Sequence, residues 1–255
     1  MPLRQDPSLP WNLPGCVAYY QPVRAPDSLL ARYNMAHGGD NRFRAMPGVQ
    51  PTWSAKTGWG FNGSQYLDCG VNAIVPGWAA ICAFTNVPST AGKNHTLFGS
   101  ATTSYNQCFI IMPWRTFGGI HRYYNGSVTG LSVAGVVASG VLAISGAACY
   151  QNGVFEGNAQ TSASAITPNI YIGCYNDPGS GPFDYVIGNI QSFVIYSRLL
   201  SPAEVWQASR QMQYCDVNPD WSVWSPRRKW FPYVLAGGGF QAAWAERANR
   251  LIGGG

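Results

Sequence analysis

The hydrophobic residues of the chain fall into short runs that are separated by glycine, proline and asparagine. Each run is rich in valine, isoleucine, phenylalanine and tyrosine, which is typical of β-strands bounded by turns. Asn-Gly pairs between runs indicate tight hairpin turns. The strand-like runs are 16–21, 78–87, 96–99, 107–114, 169–174 and 190–196, and the Asn-Gly pairs stand at 62–63, 125–126 and 152–153. The pattern predicts an all-β chain of many short antiparallel strands.

Two stretches lack this clear pattern. Residues 131–149 contain mostly alanine, glycine, valine and serine, a composition that also occurs in helices. Their several glycines and frequent valines favour two adjacent strands instead. Residues 22–56 are predicted to be mostly loop, with a helical turn over 28–33.

A single helix is predicted directly after the last strand-like run. Ser201 is the expected N-cap, Pro202 occupies the first helical position, and Glu204 completes a capping box. Leu200 and Val205 are placed to form a hydrophobic staple across the helix start. The chain should therefore pass from a buried strand through a tight turn into a capped helix.

The order of these signals resembles the last core strand of a concanavalin A-like lectin/glucanase domain of the laminin-G type. The opening strand at 15–20 and the segment 57–70, expected to be a hairpin, resemble the same family. The resemblance implies a two-sheet antiparallel jelly-roll sandwich over 15–213 with one short helix. The residues that match the last-strand pattern are Gly188, Ile190, Ile195, Tyr196, Arg198, Leu200, Ser201, Glu204 and Val205.

Charge is sparse and unevenly distributed. Charged residues make up 11% of the chain and aromatic residues 14%, and the net charge is +5. Such a low surface charge predicts that neighbouring chains cover part of the surface. We expect an extended N-terminal arm over 1–14, the sandwich over 15–213, and a C-terminal arm over 214–255 that is not part of the sandwich. Within that arm, residues 221–255 hold four of the five net positive charges, from Arg227, Arg228, Lys229, Arg247 and Arg250 against Glu246.

The C-terminal arm is predicted to anchor the chain on a partner. It holds four of the ten tryptophans and a short helix pattern over 240–251, and buried Trp and Arg dominate many interfaces. The run at 224–232 resembles the ends of proteins encoded beside structural genes of tailed bacteriophages. Other virion proteins or copies of this chain are the expected partners, and an arm that covers its own sandwich is the competing arrangement. The predicted docking residues are Trp224, Arg227, Arg228, Lys229, Trp230, Phe231, Phe240, Trp244 and Leu251.

The seven cysteines indicate a reducing compartment. Their number is odd, no Cys-x-x-Cys occurs, and several lie within apolar strand-like runs. Free buried thiols are therefore favoured over a disulfide framework. The first residues show no apolar signal-peptide core, and no run has the length of a membrane span. We expect assembly in the host cytoplasm and localisation to the virion.

The spacing of carboxylates argues against a glycoside hydrolase. That chemistry needs two carboxylates about 5–10 Å apart, and enzymes of the resembled family usually carry them on one strand. No acidic residue lies within five positions of any of the three glutamates, Glu156, Glu204 and Glu246. The three histidines each stand alone, and no Gly-x-Ser-x-Gly motif occurs. We therefore predict that the chain is not an enzyme, and that it binds neither nucleic acid nor a membrane.

A mixed aromatic and polar group on adjacent predicted strands is the candidate glycan-binding site. Exposed aromatic rings stack on sugars, and polar neighbours bind their hydroxyl groups. Core positions for Trp114 and Tyr123 are the alternative. The candidate residues are Trp114, Arg115, His121, Arg122 and Tyr123.

No cofactor is predicted, and calcium is the alternative. The family resemblance implies that Ca²⁺ binds oxygen ligands at the sandwich rim, and Asn176, Asp177 and Asp184 stand in a suitable loop. Asparagine and aspartate also favour turns without any metal. Two functions remain open. One is a virion structural or decoration protein that carries a glycan-binding sandwich, and the other is a cellular or secreted lectin-like protein without an assembly role.

Overall fold

The computed structural model describes residues 10–213, apart from 24, 37–43, 73–76, 90–91, 103–106, 117–118, 128 and 162–164. The chain divides into two units, Met1–Asn218 and Pro219–Gly255, and every described residue belongs to the first. The predicted C-terminal arm, with its docking residues, lies outside the described residues, as does most of the N-terminal arm. The boundaries of both arms stay predictions.

Short strands make up most of the described chain, because β-branched and aromatic runs alternate with turns. In order they are β1 (Cys16–Tyr20), β2 (Met46–Val49), β3 (Thr52–Ser54), β4 (Gly58–Asn62), β5 (Tyr66–Asp68), β6 (Ala79–Thr85), β7 (Phe98–Ala101), β8 (Cys108–Arg115), β9 (Ile120–Asn125), β10 (Leu131–Ala134), β11 (Gly140–Ser145), β12 (Ala148–Gln151), β13 (Val154–Asn158), β14 (Tyr171–Ile172), β15 (Tyr175–Asp177), β16 (Gly181–Phe183) and β17 (Ile187–Tyr196). The helix α1 (Pro202–Met212) follows, and 3-10 turns occupy Pro10–Asn12 and Leu30–Arg32. Within the described residues, no helix has the length and apolar character of a membrane span.

The strands form two sheets. The first has the order β13-β12-β11-β6-β17-β4-β3, and β1 also pairs with β17. The second has the order β10-β9-β8-β7-β14-β5-β2, and the β15–β16 hairpin adds to β7. The β15–β7 pair is parallel, whereas the long pairs such as β6–β17 and β8–β9 are antiparallel. The prediction of an all-β, two-sheet sandwich with one short helix is confirmed.

The long strand β17 contributes to two hydrophobic clusters. From Phe193 to Tyr196 its side chains alternate between the two faces of the first sheet, as the pleat requires, and a β-bulge between Ile190 and Ser192 shifts this alternation. Ile190, Phe193 and Ile195 pack in the core between the sheets. Val194 and Tyr196 pack on the opposite face, in the cluster that includes residues of α1. This strand therefore carries both the sandwich core and the surface on which the helix lies.

The helix begins at the predicted capping box. Ser201 Oγ accepts a hydrogen bond from Glu204 N at 3.3 Å, and the Glu204 carboxylate accepts one from Ser201 N at 2.8 Å. Arg198 forms an ion pair with the same carboxylate at 2.6 Å. Leu200 and Val205 are buried in one cluster beside the cap, which agrees with the predicted staple.

The turn at Asn62-Gly63 corrects one prediction. It does not close a hairpin, because β4 pairs with strands of the first sheet and β5 with strands of the second. A type I′ hairpin turn needs positive φ at both central residues, and of this pair only Gly63 has it, at 93°. The chain crosses between the sheets here. By contrast, Asn152 and Gly153 have φ of 52° and 80°, and they join the paired strands β12 and β13.

Residues 131–149 contain strands, but the first two of them, β10 and β11, do not pair with each other. β10 pairs with β9 in the second sheet, whereas β11 pairs with β6 and β12 in the first. The tight hairpin turn predicted at 125–126 also differs, because β9 ends at Asn125 and its partner β10 begins only at Leu131. A single strand-rich stretch of sequence thus supplies both layers of the sandwich.

The six cysteines of the described chain are free thiols. All of them are buried except Cys16, which is half-buried. Burial raises the pKa of the Cys108 thiol to about 11 and that of Cys149 to about 12. These side chains therefore behave as small apolar groups of the core.

Candidate functional site

An open cleft lies at one end of the second sheet, where the chain enters β7 and leaves β8 and β16. Its volume is about 460 Å³. The lining residues come from connections that are distant in sequence, so only the sandwich brings them together. They are Gly63, Gly92, Lys93, Asn94, Thr116, Asp184 and Tyr185.

Hydrogen bonds hold these connections in place. Asn94 Nδ2 donates to Asp184 Oδ2 at 3.0 Å, and Thr116 N donates to Asn94 Oδ1 at 3.0 Å. The backbone carbonyl of Asp184 accepts a further bond from Thr96 N at 3.0 Å. Asn94 therefore bridges a backbone amide and a carboxylate, and both bonds fix the orientation of its side chain.

Asp184 adopts a left-handed backbone conformation, with φ of 51°. Aspartate tolerates this region better than most residues other than glycine. Strained backbone conformations persist where the surrounding structure holds them, often at functional sites. Here the Asn94 and Thr96 bonds provide that support and keep the Asp184 side chain in the wall of the cleft.

One acidic and two basic side chains lie in or next to the cleft, namely Asp184, Lys93 and Arg115. Burial raises the pKa of the Asp184 carboxyl, although the Asn94 hydrogen bond and the Arg115 charge lower it in part. Lys93 lines the cleft and is exposed. Neither Lys93 nor Arg115 forms an ion pair with another described residue. Asp184 and Lys93 therefore both line the cleft, and Arg115 ends β8 directly before the lining residue Thr116.

Tyrosine rings continue from the cleft onto two inner strands of the second sheet, β5 and β14. The Tyr185 ring lies edge-on to the Tyr66 ring, with centroids 6.4 Å apart. Tyr66 in turn stacks on Tyr171 at 4.7 Å. All three are partly exposed. The cleft therefore combines polar groups with an aromatic face.

The predicted glycan group is divided by the second sheet. His121 and Tyr123 are buried, because alternate side chains of β9 point into the sandwich. Trp114 is partly buried against the core. Arg122 lies on the outer face, with its guanidinium 4.7 Å over a neighbouring tyrosine ring. Arg115 is the member whose charge acts on the cleft, so the group does not form one surface.

The two buried members contact a carboxylate from the other sheet. Glu156 on β13 lies 3.0 and 3.1 Å from His121 Nε2 and accepts a hydrogen bond from the Tyr123 hydroxyl. His121 Nδ1 lies 3.0 Å from the Gly135 carbonyl oxygen. The side chains of His121 and Glu156 are only 2% and 12% exposed. This cluster links the sheets and gives a glycan little access.

The alternative calcium residues are spread along the β15–β16 hairpin. Asp177 pairs with Gly181 near the hairpin tip, whereas Asp184 follows the far end of β16 and lines the cleft. Asn176 donates its side-chain amide to the Asn169 carbonyl at 3.0 Å. Among the residues that the structure describes, no three or more His, Cys, Asp or Glu side chains are placed to hold a metal ion.

Sequence reasoning identified Asp184 and Arg115 but missed Lys93, Asn94 and Tyr185. Lys93 and Asn94 lie in a short polar connection that matches no motif. The carboxylate that Asn94 contacts is 90 residues away, so no local pattern signals the pair. The Gly/Pro/Asp-rich connection before Tyr185 was the available hint.

No protein-family model and no curated protein sequence matches the chain. Solved structures share its fold. Domain 4 of AbnA, a GH43 extracellular arabinanase from Geobacillus stearothermophilus in complex with arabinotriose, has a TM-score of 0.53 at 15% identity, over 76% of this chain and 98% of that one. A mutant Trypanosoma rangeli sialidase displaying trans-sialidase activity has a TM-score of 0.54 at 14% identity, over 78% of this chain. The match covers 33% of the sialidase chain.

At these identities the likenesses show the fold alone. The prediction that the chain is not an enzyme is contradicted by them, because the neighbours are an arabinanase and a sialidase and the sandwich occurs in glycoside hydrolases. The family resemblance is supported at the level of a β-sandwich fold that domains of an arabinanase and a sialidase share, and the bacteriophage origin stays a prediction.

Proposed function

We propose that the chain binds a glycan in the cleft around Asp184. The observation that carries this proposal is the Asn94–Asp184 pair, held at 3.0 Å beside the Tyr185 side chain in an open cleft. A carboxylate next to an amide presents an acceptor and a donor side by side, which matches neighbouring hydroxyl groups of a sugar. The aromatic ring supplies an apolar face for the C–H groups of the same sugar.

Several polar groups of the cleft are available to such a ligand. Asp184 Oδ1 and the Lys93 ammonium form no hydrogen bond with other described residues, and Asn94 keeps one amide proton. A volume of about 460 Å³ falls in the range of small-molecule sites, roughly 300–1,000 Å³. The arabinanase domain of similar fold was captured with arabinotriose, which supports a short oligosaccharide as the ligand here.

Isothermal titration calorimetry of the full chain against a panel of oligosaccharides tests this proposal. Tyr185→Ala removes the aromatic face, and we expect the affinity to fall about tenfold, which corresponds to about 1.4 kcal/mol. Asn94→Ala should weaken binding as well, because it removes the bridge to Asp184. Trp206→Ala is the matched control. It deletes an exposed aromatic ring on α1, against the first sheet, and should leave the affinity unchanged.

Two results would contradict a glycan site in this cleft. One is the absence of heat for every oligosaccharide in the panel. The other is binding that Trp206→Ala weakens while Tyr185→Ala and Asn94→Ala leave it intact. Thermal unfolding of each variant separates lost binding from lost folding.

We also propose that residues 214–255 anchor the chain on a virus particle, with the sandwich facing outward. The support comes from the sequence, because this arm holds four of the ten tryptophans, and residues 221–255 within it hold four of the five net positive charges. The chain should then sediment with particles purified from the cells that produce it. Replacing Arg227, Arg228 and Lys229 with glutamate should release it, and Lys56→Glu should not. A chain that stays in the soluble fraction favours the lectin-like role without assembly.

A further inference from the structure

Cations outnumber carboxylates at the cleft. Lys93 lines it, and the Arg115 charge acts on Asp184 from the adjoining strand end. Asp184 is the one carboxylate among the lining residues, and it already accepts a hydrogen bond from Asn94. Lys93 and Arg115 together therefore outnumber by one the single carboxylate that lines the cleft.

Several arginines of the described chain have an anionic or aromatic partner, although Arg32 and Lys56, which do not line the cleft, have none. Arg198 forms an ion pair with Glu204 at 2.6 Å. Arg122 and Arg210 lie over aromatic rings at 4.7 and 5.7 Å. Lys93 and Arg115 have no such partner among the described residues. In a chain with only 11% charged residues, two unpaired cations beside one cleft indicate a ligand of opposite charge.

We propose that the glycan bound in this cleft carries an anionic group, a carboxylate or a sulfate. This inference rests on the proposed glycan-binding function. A guanidinium binds carboxylate and sulfate oxygens through paired N–H donors, so Arg115 is assigned to the anion, and Lys93, which is exposed and lines the cleft, adds a second positive charge. Asn94, Asp184 and Tyr185 are left to bind the sugar ring.

The position of Asp184 predicts a specific charge effect. A negative Asp184 repels an anionic ligand, whereas asparagine has the same shape and still accepts the bond from Asn94. Asp184→Asn should therefore raise the affinity for acidic glycans and should not raise the affinity for neutral glycans. Asparagine also tolerates the left-handed backbone at this position, so the variant keeps the fold of the connection.

A glycan array that contains neutral, uronic acid, sialylated and sulfated oligosaccharides tests the inference on the full chain. We expect acidic glycans to bind best, and binding to weaken as salt concentration rises. Arg115→Gln should lower the affinity about tenfold and Lys93→Gln several-fold. Lys56→Gln is the matched control. It removes an exposed cation in the turn before β4, away from the cleft, and should have no effect.

The outcomes separate this inference from the proposed function. Preference for uronic or sialylated glycans identifies a carboxylate, and preference for sulfated ones identifies a sulfate. Equal or better binding of neutral glycans overturns the inference but leaves glycan binding in place. If Lys56→Gln weakens binding as much as Arg115→Gln, the attraction is general and the inference fails. If no glycan of any class binds, both proposals are refuted.

Discussion

His121 Nε2 lies 3.0 Å from Glu156 Oε2, and this contact joins β9 of the second sheet to β13 of the first. His121 Nδ1 lies 3.0 Å from the carbonyl oxygen of Gly135, so both ring nitrogens face acceptors. An imidazole has two N–H donors only in its cationic form. The geometry therefore favours a protonated His121 beside the Glu156 carboxylate, to which the Tyr123 hydroxyl also donates.

We expect this pair to make the protein less stable at alkaline pH. Burial alone lowers the pKa of His121, but the hydrogen bonds to Glu156 and Gly135 and the Glu156 charge outweigh it, so the pKa is raised. The pair therefore stabilises the fold fully below about pH 6.5, which is the ordinary pKa of a histidine in an unfolded chain. This stabilisation is lost as the pH rises through the higher pKa that His121 has in the folded protein. Denaturant unfolding measured at a series of pH values should show this loss as a fall in the free energy of unfolding. His121→Gln should abolish that fall.

His95 provides an internal comparison for that measurement. Burial lowers its pKa, even though a backbone interaction with Tyr185 raises it in part. The contribution of neutral His95 to stability is therefore present above about pH 6.5 and is lost as the pH falls. This pH dependence is opposite in direction to that of His121. Nuclear magnetic resonance titration should place the imidazole signal of His121 above the ordinary pKa and that of His95 below it. A His121 signal that titrates with a pKa at or below 6.5 would contradict this account of the His121–Glu156 pair.

Ser201→Ala should lower the free energy of unfolding by about 1 kcal/mol, because it removes the N-cap of α1. The Ser201 Oγ bond to Glu204 N at 3.3 Å is the bond that disappears. Ser201→Asp is the control, since aspartate is an equally good cap, and it should keep the stability. Urea denaturation followed by tryptophan fluorescence measures both. Equal loss in the two variants would show that the cap contributes nothing.

Gly173→Ala should be far more destabilising than Gly181→Ala. Both glycines have positive φ, 94° and 85°, so both variants strain the backbone. A Cβ at residue 173 would lie 2.4 Å from the Phe61 ring, whereas at residue 181 it meets nothing within 4 Å. We expect the packing clash to add roughly 1–3 kcal/mol. Similar melting temperatures for the two variants would contradict this account of the core.

The described cysteines should resist alkylation until the protein unfolds. They are buried or half-buried, and burial raises the pKa of thiols such as Cys16, to about 12, so little reactive thiolate is present near neutral pH. Mass spectrometry of iodoacetamide-treated protein should find these peptides unmodified in the native state and modified in denaturant. Rapid labelling of Cys82 or Cys149 without denaturant would show that the sandwich opens readily.

Features whose partners are close along the chain follow from the sequence by itself. Ser201 and Glu204 are three residues apart, so the capping box specifies the helix start. The alternation along β17 separates Phe193 from Val194 on opposite faces of the sheet, because the side-chain period of a strand is two. The all-β class of the described chain and its one α-helix, α1, were predictable for the same reason.

Only the tertiary structure decided which strand belongs to which sheet and what lies beside the cleft. Asn62-Gly63 has the composition of a hairpin turn, yet the chain there crosses between layers, because β4 and β5 find their partners elsewhere in the sequence. The Asn94–Asp184 contact spans 90 residues and the His121–Glu156 contact spans 35. Local periodicity determines which side of a strand a residue occupies, but strand order in space determines its neighbours. The cleft is therefore a product of sheet pairing, and no local pattern in the sequence encodes it.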